Sequence, residues 1–342
     1  MPQWVVWLAP LLATLVTVVL VWPLKRFLVD HDLIDVPDPR RSHLRPTPRG
    51  GGLAMAAGLC LAVVVLIVQF DQPWLVLVPL LALTVLGWLD DRHDMKVGWR
   101  LIMQLAIALV LVLWIGAPTV IQWGPVAIES SMLWAILAVV AVVWLINLHN
   151  FMDGSDGLAA GQGIWSGLAF GLAFGWNQAW FEALLAFSLA GACLGFLYWN
   201  RPPARIFMGD TGSVLLGGSV AGLALIGAES GSVSIWLSMI ICSLFVVDAT
   251  ATLARRLLVG EQWYTAHRSH AYQRLIISGW THGQVLTLYG LVNGLIVLPL
   301  FLVGLTRPEH DFWLALVVIV LLVAGWYFLQ SSTNGDKQIN HD

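Results

Sequence analysis

Charge is scarce in this 342-residue sequence. Asp, Glu, Lys and Arg together make up 11%, where an average soluble protein has roughly 25%. The chain is 58% hydrophobic and its mean hydropathy is +0.80. No soluble core hides that much apolar surface, so a globular cytosolic enzyme is excluded, and so is a disordered chain. Cysteine is scarcer still. Cys60, Cys193 and Cys242 each lie inside an apolar run, with no CxxC spacing and no neighbouring His. A disulfide scaffold or a zinc site is therefore not indicated, and the three read as small buried hydrophobes. Also missing is a basic stretch ahead of the first apolar segment. Lys25 and Arg26 follow it instead, so that segment reads as a retained span and not a cleaved signal. Nothing points to nucleic acid.

What the sequence does have is long apolar runs. A helix crossing the bilayer needs about 20 apolar residues. The pattern predicts eleven spans, at roughly 4–22, 50–70, 74–89, 101–121, 132–149, 158–175, 181–199, 211–228, 234–253, 283–305 and 312–330. The expected fold is an all-α integral membrane protein, a polytopic bundle of about eleven transmembrane helices. It forms a single transmembrane domain over 1–330, followed by a short polar tail over 331–342. Segments 158–175 and 211–228 are rich in Gly and Ala, which lets helix backbones approach closely in lipid. Trp4, Trp22, Trp74, Trp88, Trp123 and Trp199 fall near span ends, as interfacial anchors do.

Of the 17 Lys and Arg, all but Arg307 fall in the loops after odd-numbered spans or in the tail. By the positive-inside rule those loops are cytoplasmic, which places the N-terminus outside and the C-terminus inside. The acids supply a partly independent observation. Asp90, Asp91, Asp94, Asp153, Asp156 and Asp210 all fall on the same side, at the ends of spans 3, 5 and 8, and Asp248 lies inside span 9 near that end. Ionisable groups at or within the membrane suggest function. Acids gathered among Arg-bearing loops suggest a divalent cation that bridges carboxylates and phosphates, as Mg²⁺ does. A transporter is expected to place acids near the midplane, whereas here the span middles are almost free of charge. The pattern favours an enzyme whose active-site loops face the cytoplasm.

Five segments on that side carry distinctive residues. They are Asp35-Val-Pro-Asp-Pro-Arg-Arg-Ser-His43 with Arg49-Gly50-Gly51-Gly52; Asp90-Asp91-Arg-His-Asp94; Asn147-Leu-His-Asn150-Phe-Met-Asp153-Gly-Ser-Asp156-Gly157; Asn200-Arg-Pro-Pro-Ala-Arg-Ile-Phe207-Met-Gly209-Asp210-Thr-Gly-Ser213; and His267-Arg268-Ser269-His270. In this order and on one face, they resemble the polyprenyl-phosphate N-acetylhexosamine-1-phosphate transferase family. That family includes the peptidoglycan translocase that makes lipid I and the enzymes that initiate O-antigen and enterobacterial common antigen. The resemblance runs from about residue 30 to residue 275. The peptidoglycan branch usually shows a run of His in the last loop, and the common-antigen branch His-x-His-His. The pattern here departs from both and looks closest to O-antigen-initiating members.

The resemblance implies a bacterial inner-membrane enzyme that transfers a sugar 1-phosphate from a UDP-N-acetylhexosamine to undecaprenyl phosphate and releases UMP. It implies Mg²⁺, with Mn²⁺ as a substitute, membrane lipids as surroundings and a homodimer among the candidate partners. It also implies roles by position. Asp210 resembles the principal metal ligand, with Asn150 a second. Phe207 resembles an aromatic that stacks on uracil. Asp153 and Asp156 are candidates for nucleotide contacts and support of the metal. Asp90 and Asp91 are candidates to orient or deprotonate the lipid phosphate. His267, Arg268 and His270 are candidates to hold the diphosphate or sugar, and Arg100, Arg49, Asn147 and His43 further candidates for substrate contacts. The Arg49–Gly52 turn either lets backbone approach a phosphate or simply leads into a helix. The lipid phosphate is already anionic near pH 7, so direct attack in one step is expected, ahead of a covalent carboxylate intermediate with ping-pong kinetics. The alternative is a multipass transporter or flippase for lipid-linked sugars, which would bind without releasing UMP.

Overall fold

The computed structural model describes residues 8–36, 46–261 and 268–339, with side chains to residue 331. His43 and His267 lie outside the described residues. The chain begins with α1 (Leu8–Asp30), a β1 (Ile34–Asp35) and β2 (Thr47–Pro48) pair, α2 (Gly52–Phe70), α3 (Leu77–His93) and α4 (Val97–Ile115). A hairpin of β3 (Val120–Trp123) and β4 (Val126–Glu129) follows, then α5 (Ser131–Met152), α6 (Leu158–Trp176), α7 (Trp180–Asn200), α8 (Gly209–Ser230) and α9 (Ile235–Leu258). The last part holds the short α10 (Ala271–Ile277), α11 (His282–Val292), α12 (Leu298–Thr306) and α13 (Asp311–Ile339). A π-turn over Asn293–Val297 joins α11 to α12, and the two run as one 25-residue segment from His282 to Thr306.

Among the described residues, ten helical segments are long and apolar enough to cross a membrane. They match ten of the eleven expected spans. The remaining one, 158–175, is the 19-residue α6. The fourth span was expected to reach residue 121, but its helix stops at Ile115, with Gly116 as the C-cap at φ +98°. The chain then turns into the antiparallel β3–β4 pair, in register from Val120↔Glu129 to Trp123↔Val126.

The bundle is graded from centre to edge. Of the spanning stretch of α8, 72% is buried inside the protein, against 17% for α13, so α8 is the hub and α13 is rim. Small residues allow this packing. A Cβ placed on Gly52 would fall 2.1 Å from the Gly212 nitrogen, and one on Gly87 2.4 Å from the Asp210 carbonyl oxygen. The starts of α2 and α8 and the end of α3 therefore touch backbone to backbone, which brings three helix termini to one point.

Candidate active site

A helix N-terminus leaves N–H groups without intrahelical partners and favours negative charge. At α8 the partner comes from α3. Asp91 Oδ1 accepts the Asp210 N–H at 2.8 Å, and its Oδ2 accepts the Thr211 N–H at 2.8 Å and the Thr211 hydroxyl at 2.6 Å. Gly209, at φ +73°, leaves room for this cap, since a Cβ there would sit 2.7 Å from Asp91 Oδ2. Arg49 then bridges two acids, with Nε 2.8 Å from Asp91 Oδ1 and Nη2 2.9 Å from Asp210 Oδ1. Asn150, near the end of α5, donates its amide to Asp210 Oδ1 at 2.7 Å and to the Ser213 hydroxyl at 3.1 Å.

The glycine turn after Arg49 is spoken for. Gly50 and Gly51 donate their N–H groups to the Phe207 carbonyl, Gly52 donates to that of Met208, and Phe207 donates back to Pro48. Of its two expected readings, phosphate cradle or lead into a helix, the structure supports the second: the turn is an internal brace that sets Arg49 beside Phe207.

A second loop, between α5 and α6, forms the facing wall. Asp156 Oδ2 accepts the Ala204 N–H at 2.9 Å, and its own N–H donates to His282 Nδ1 at 3.1 Å. Ser155 Oγ lies 3.0 Å from the same His282 nitrogen. Asn200 takes the Gly157 N–H at 2.8 Å and donates to the Ile206 carbonyl at 2.9 Å. This loop is thereby tied to the segment before Phe207 and to the start of α11.

Between these walls lies a cavity of about 300 Å³. It is lined by Arg49, Asn150, Asp153, Asp156, Phe207, Asp210 and Arg268 from among the sequence-derived candidates, joined by Asp35, Ser155, Asn200 and Gln273. The other described candidates stand behind it or away from it. The Asp91 side chain is 2% exposed and serves as the α8 cap. Asp90 accepts from the Met95 N–H at 3.0 Å and pairs with Arg100 at 3.1 Å, while its carboxylate also interacts with Asp210. Asn147 donates to Gln104 at 2.7 Å and to the Val143 carbonyl at 2.8 Å, on the α4 side of α5. His270 is buried, 3.7 Å from Asp248. His282, Gln273, Ser155 and Asn200 are not among the site residues the sequence indicates: the first two carry no signal, being ordinary polar residues at helix starts, whereas Ser155 lies inside the Asn147–Gly157 motif and Asn200 opens another.

Electrostatically the cavity is acid-rich, and Arg49 is held among its acids. Burial, and then the Asp210 carboxylate, push the Asp153 carboxyl well above its ordinary range, with Arg49 pulling the other way. Burial alone would lower the Arg49 guanidinium, but Asp210 and Asp91 outweigh it and raise it. The donor set suits a hard cation. Asp210, Asp153 and the Asn150 amide present oxygen ligands, but no cluster of three or more metal-binding His, Cys, Asp or Glu occurs among the described residues. That is short of an all-protein cage, and Mg²⁺ is commonly held by one or two carboxylates with substrate phosphate completing the shell.

Residues 73–228 match glycosyl transferase family 4. The chain is also 33% identical over 327 residues to a phospho-N-acetylmuramoyl-pentapeptide-transferase of Picosynechococcus sp., covering 88% of this chain and 87% of that protein. To a probable undecaprenyl-phosphate N-acetylglucosaminyl 1-phosphate transferase of Bacillus subtilis it is 30% identical over 326 residues, covering 91% and 88%. A phospho-N-acetylmuramoyl-pentapeptide-transferase of Synechococcus sp. is 35% identical over 279 residues, covering 74% and 78%.

Proposed function

The chain belongs to glycosyl transferase family 4, the polyprenyl-phosphate hexosamine-1-phosphate transferases, and from that premise we propose the reaction and its donor. The protein transfers N-acetylhexosamine 1-phosphate from a UDP-N-acetylhexosamine to undecaprenyl phosphate at the cytoplasmic face of a bacterial inner membrane. The product starts a surface polysaccharide of the O-antigen kind. The observation that carries this reading is the cavity in which Arg49 and Arg268 share one space with Asp210, Asp153 and Asn150. An anionic diphosphate needs cations there, and carboxylates alone would repel it.

An oxygen of the lipid phosphate attacks the β-phosphorus of the donor. The new P–O bond forms as the bond from the β-phosphorus to the bridging oxygen breaks, and UMP leaves with that oxygen. Phosphoryl transfer depends mostly on alignment and charge stabilisation. Arg49 is held rigidly enough by its two acids to supply a fixed positive charge. Phe207, braced by the glycine turn, offers a face for the uracil. Asp210, with Asp153 and Asn150, would hold Mg²⁺, which when bound would neutralise charge on the diphosphate. Of the α3 acids, Asp90 is the one proposed to orient the lipid phosphate or take its proton, because its oxygens carry fewer bonds, from the Met95 N–H and Arg100, than those of Asp91, which take the three bonds of the α8 cap and Arg49.

Two of the relatives above are named for a muramoyl-pentapeptide substrate, and this makes peptide-bearing donors the second reading. The His267–His270 pattern and the N-acetylglucosaminyl relative favour the simple sugar. Purified protein, given undecaprenyl phosphate, Mg²⁺ and either a panel of UDP-N-acetylhexosamines or UDP-N-acetylmuramoyl-pentapeptide, should release UMP with a simple donor. Release with the pentapeptide donor alone would overturn the assignment, and binding without any release would favour a transporter. A donor chiral at the β-phosphorus tests the single step, which inverts that centre.

A further inference from the structure

Asp248 is a charged residue in a membrane-spanning helix, and such residues are expensive unless paired. It is 3% exposed and does not line the cavity. Its acceptors are all in use. Oδ1 takes the Ala271 N–H at 2.8 Å and the Thr252 hydroxyl at 3.3 Å, and Oδ2 takes the Tyr289 hydroxyl at 2.6 Å. The His270 ring lies 3.7 Å from Oδ1. One carboxylate therefore ties α9 to the first residue of α10 and to the middle of α11. Buried among these partners, it is no part of the cavity lining.

What this anchor holds is the last loop of the site. Arg268 lies three residues before Ala271, and Gln273 and Ile276 of α10 line the cavity with it. Other ties converge on the same short stretch. Gln330 of α13 donates to the Ser269 carbonyl at 2.9 Å. Tyr272 donates to the Phe151 carbonyl at 2.9 Å, and its hydroxyl sits so close to Gly154 that a Cβ there would clash. A seven-residue helix has little stability of its own, so α10 depends on these contacts for its place. Among the described contacts above, the one made by a carboxylate is that of Asp248, and hydrogen bonds to charged groups are the stronger kind.

We propose that Asp248 is a positioning residue for the sugar-diphosphate donor, acting by anchoring α10 so that Arg268 projects into the cavity. This rests on the transferase reading given above. It predicts a defect confined to the donor and transmitted through Arg268.

The test uses full-length protein carrying Asp248→Ala, Asp248→Asn, Arg268→Ala or the Asp248→Ala/Arg268→Ala pair. UMP release is followed as donor and acceptor are varied separately, and amide hydrogen exchange is measured without ligand. Asp248→Ala should raise the donor KM about tenfold, the scale of one charge-assisted hydrogen bond. The acceptor KM should stay unchanged and kcat should change less. Adding Arg268→Ala should cost little more than the larger single effect, because residues acting as one unit are not additive. Asp248→Asn, which keeps an acceptor for the Ala271 N–H, should recover most of the loss. Exchange should speed up over 268–277 and not over 150–158. If Asp248→Ala does not fold, Asp248→Asn and Tyr289→Phe carry the test, with smaller shifts in the same direction.

Fully additive donor effects, equal losses toward both substrates or unchanged exchange over 268–277 would overturn the proposal. Failure of the wild-type protein to release UMP from any donor would instead overturn the transferase reading, and the donor role with it. The exchange data, which need no substrate, separate that result from failure of the anchor.

Discussion

Two cavities of nearly equal volume, about 300 Å³ and about 290 Å³, occupy opposite ends of the same helices. Gly209 and Asp210 of α8 line the first, and Gly218, Gly222 and Ile226 of the same helix line the second. The second is walled by Leu59, Leu80, Leu83, Leu111 and Leu223, with Gln72, Glu182 and Ser219 as its few polar members. Near its end of the bundle the β3–β4 hairpin carries aromatic contacts, Trp123 meeting Trp236 edge-on at 4.7 Å and Phe312 at 5.9 Å. The first cavity has instead helix termini, a cation shared by two acids and loops fastened by side-chain hydrogen bonds. Size does not separate these two spaces. What separates them is whether polar groups converge, and convergence requires helix ends, where backbone N–H groups and chain reversals are available.

The largest expected effect falls on the acid at the centre of the polar end. Asp210→Asn removes a carboxylate while nearly keeping its shape, and should lower UMP release by about 10²-fold or more, the scale of losing a key electrostatic group. Its apparent Mg²⁺ affinity should fall with it. An active variant with unchanged Mg²⁺ dependence would remove Asp210 from the metal.

Next comes the close contact beneath the site. Gly52→Ala places a Cβ 2.1 Å from backbone at Gly212, which cannot swing aside, so stability should drop by about 1–3 kcal/mol. The matched change at the apolar end, Gly222→Ala, meets nothing within 4 Å and should stay within about 0.5 kcal/mol of the parent. Thermal unfolding of both in one detergent checks the pair, and equal losses would erase the contrast between the two ends.

A smaller effect is expected at the cavity wall. Arg268→Ala should raise the donor KM about tenfold, as removal of one charged hydrogen-bond donor does, and leave the lipid KM nearly unchanged. A defect seen only with the lipid would move Arg268 out of the donor site.

The smallest kinetic effect tests the apolar cavity as a bystander to the chemistry. Leu223→Ala enlarges it, and should cost about 2–3 kcal/mol of stability while leaving UMP release per folded molecule nearly unchanged, because Leu223 lines only the apolar cavity. A large kinetic defect in well-folded Leu223→Ala protein would join the two ends functionally.

The sequence by itself determined the membrane class and nearly all the spans, because apolar length is a local property and is read without knowing what packs on what. It also gathered Asp90, Asp91, Asp153, Asp156 and Asp210 toward one end, since residues at span ends on one side must be neighbours in a bundle. Seven of the site residues that the family motifs imply line the polar cavity. The tertiary structure decided how those residues divide the work. Asp90 and Asp91 are adjacent and alike in the sequence, yet Asp91 closes the N-terminus of a helix more than a hundred residues away, and Asp90 faces Arg100. His270 belongs to a promising motif but points to Asp248, and His282 has no motif but holds the Asp156 loop. The glycine turn became a brace only when the Phe207 and Met208 carbonyls arrived to accept its N–H groups. Each of these assignments depends on a hydrogen bond between elements distant in the chain. Hydropathy and spacing fix where a residue lies along its own helix, while the partner that spends its lone pairs or protons is set by how the helices pack.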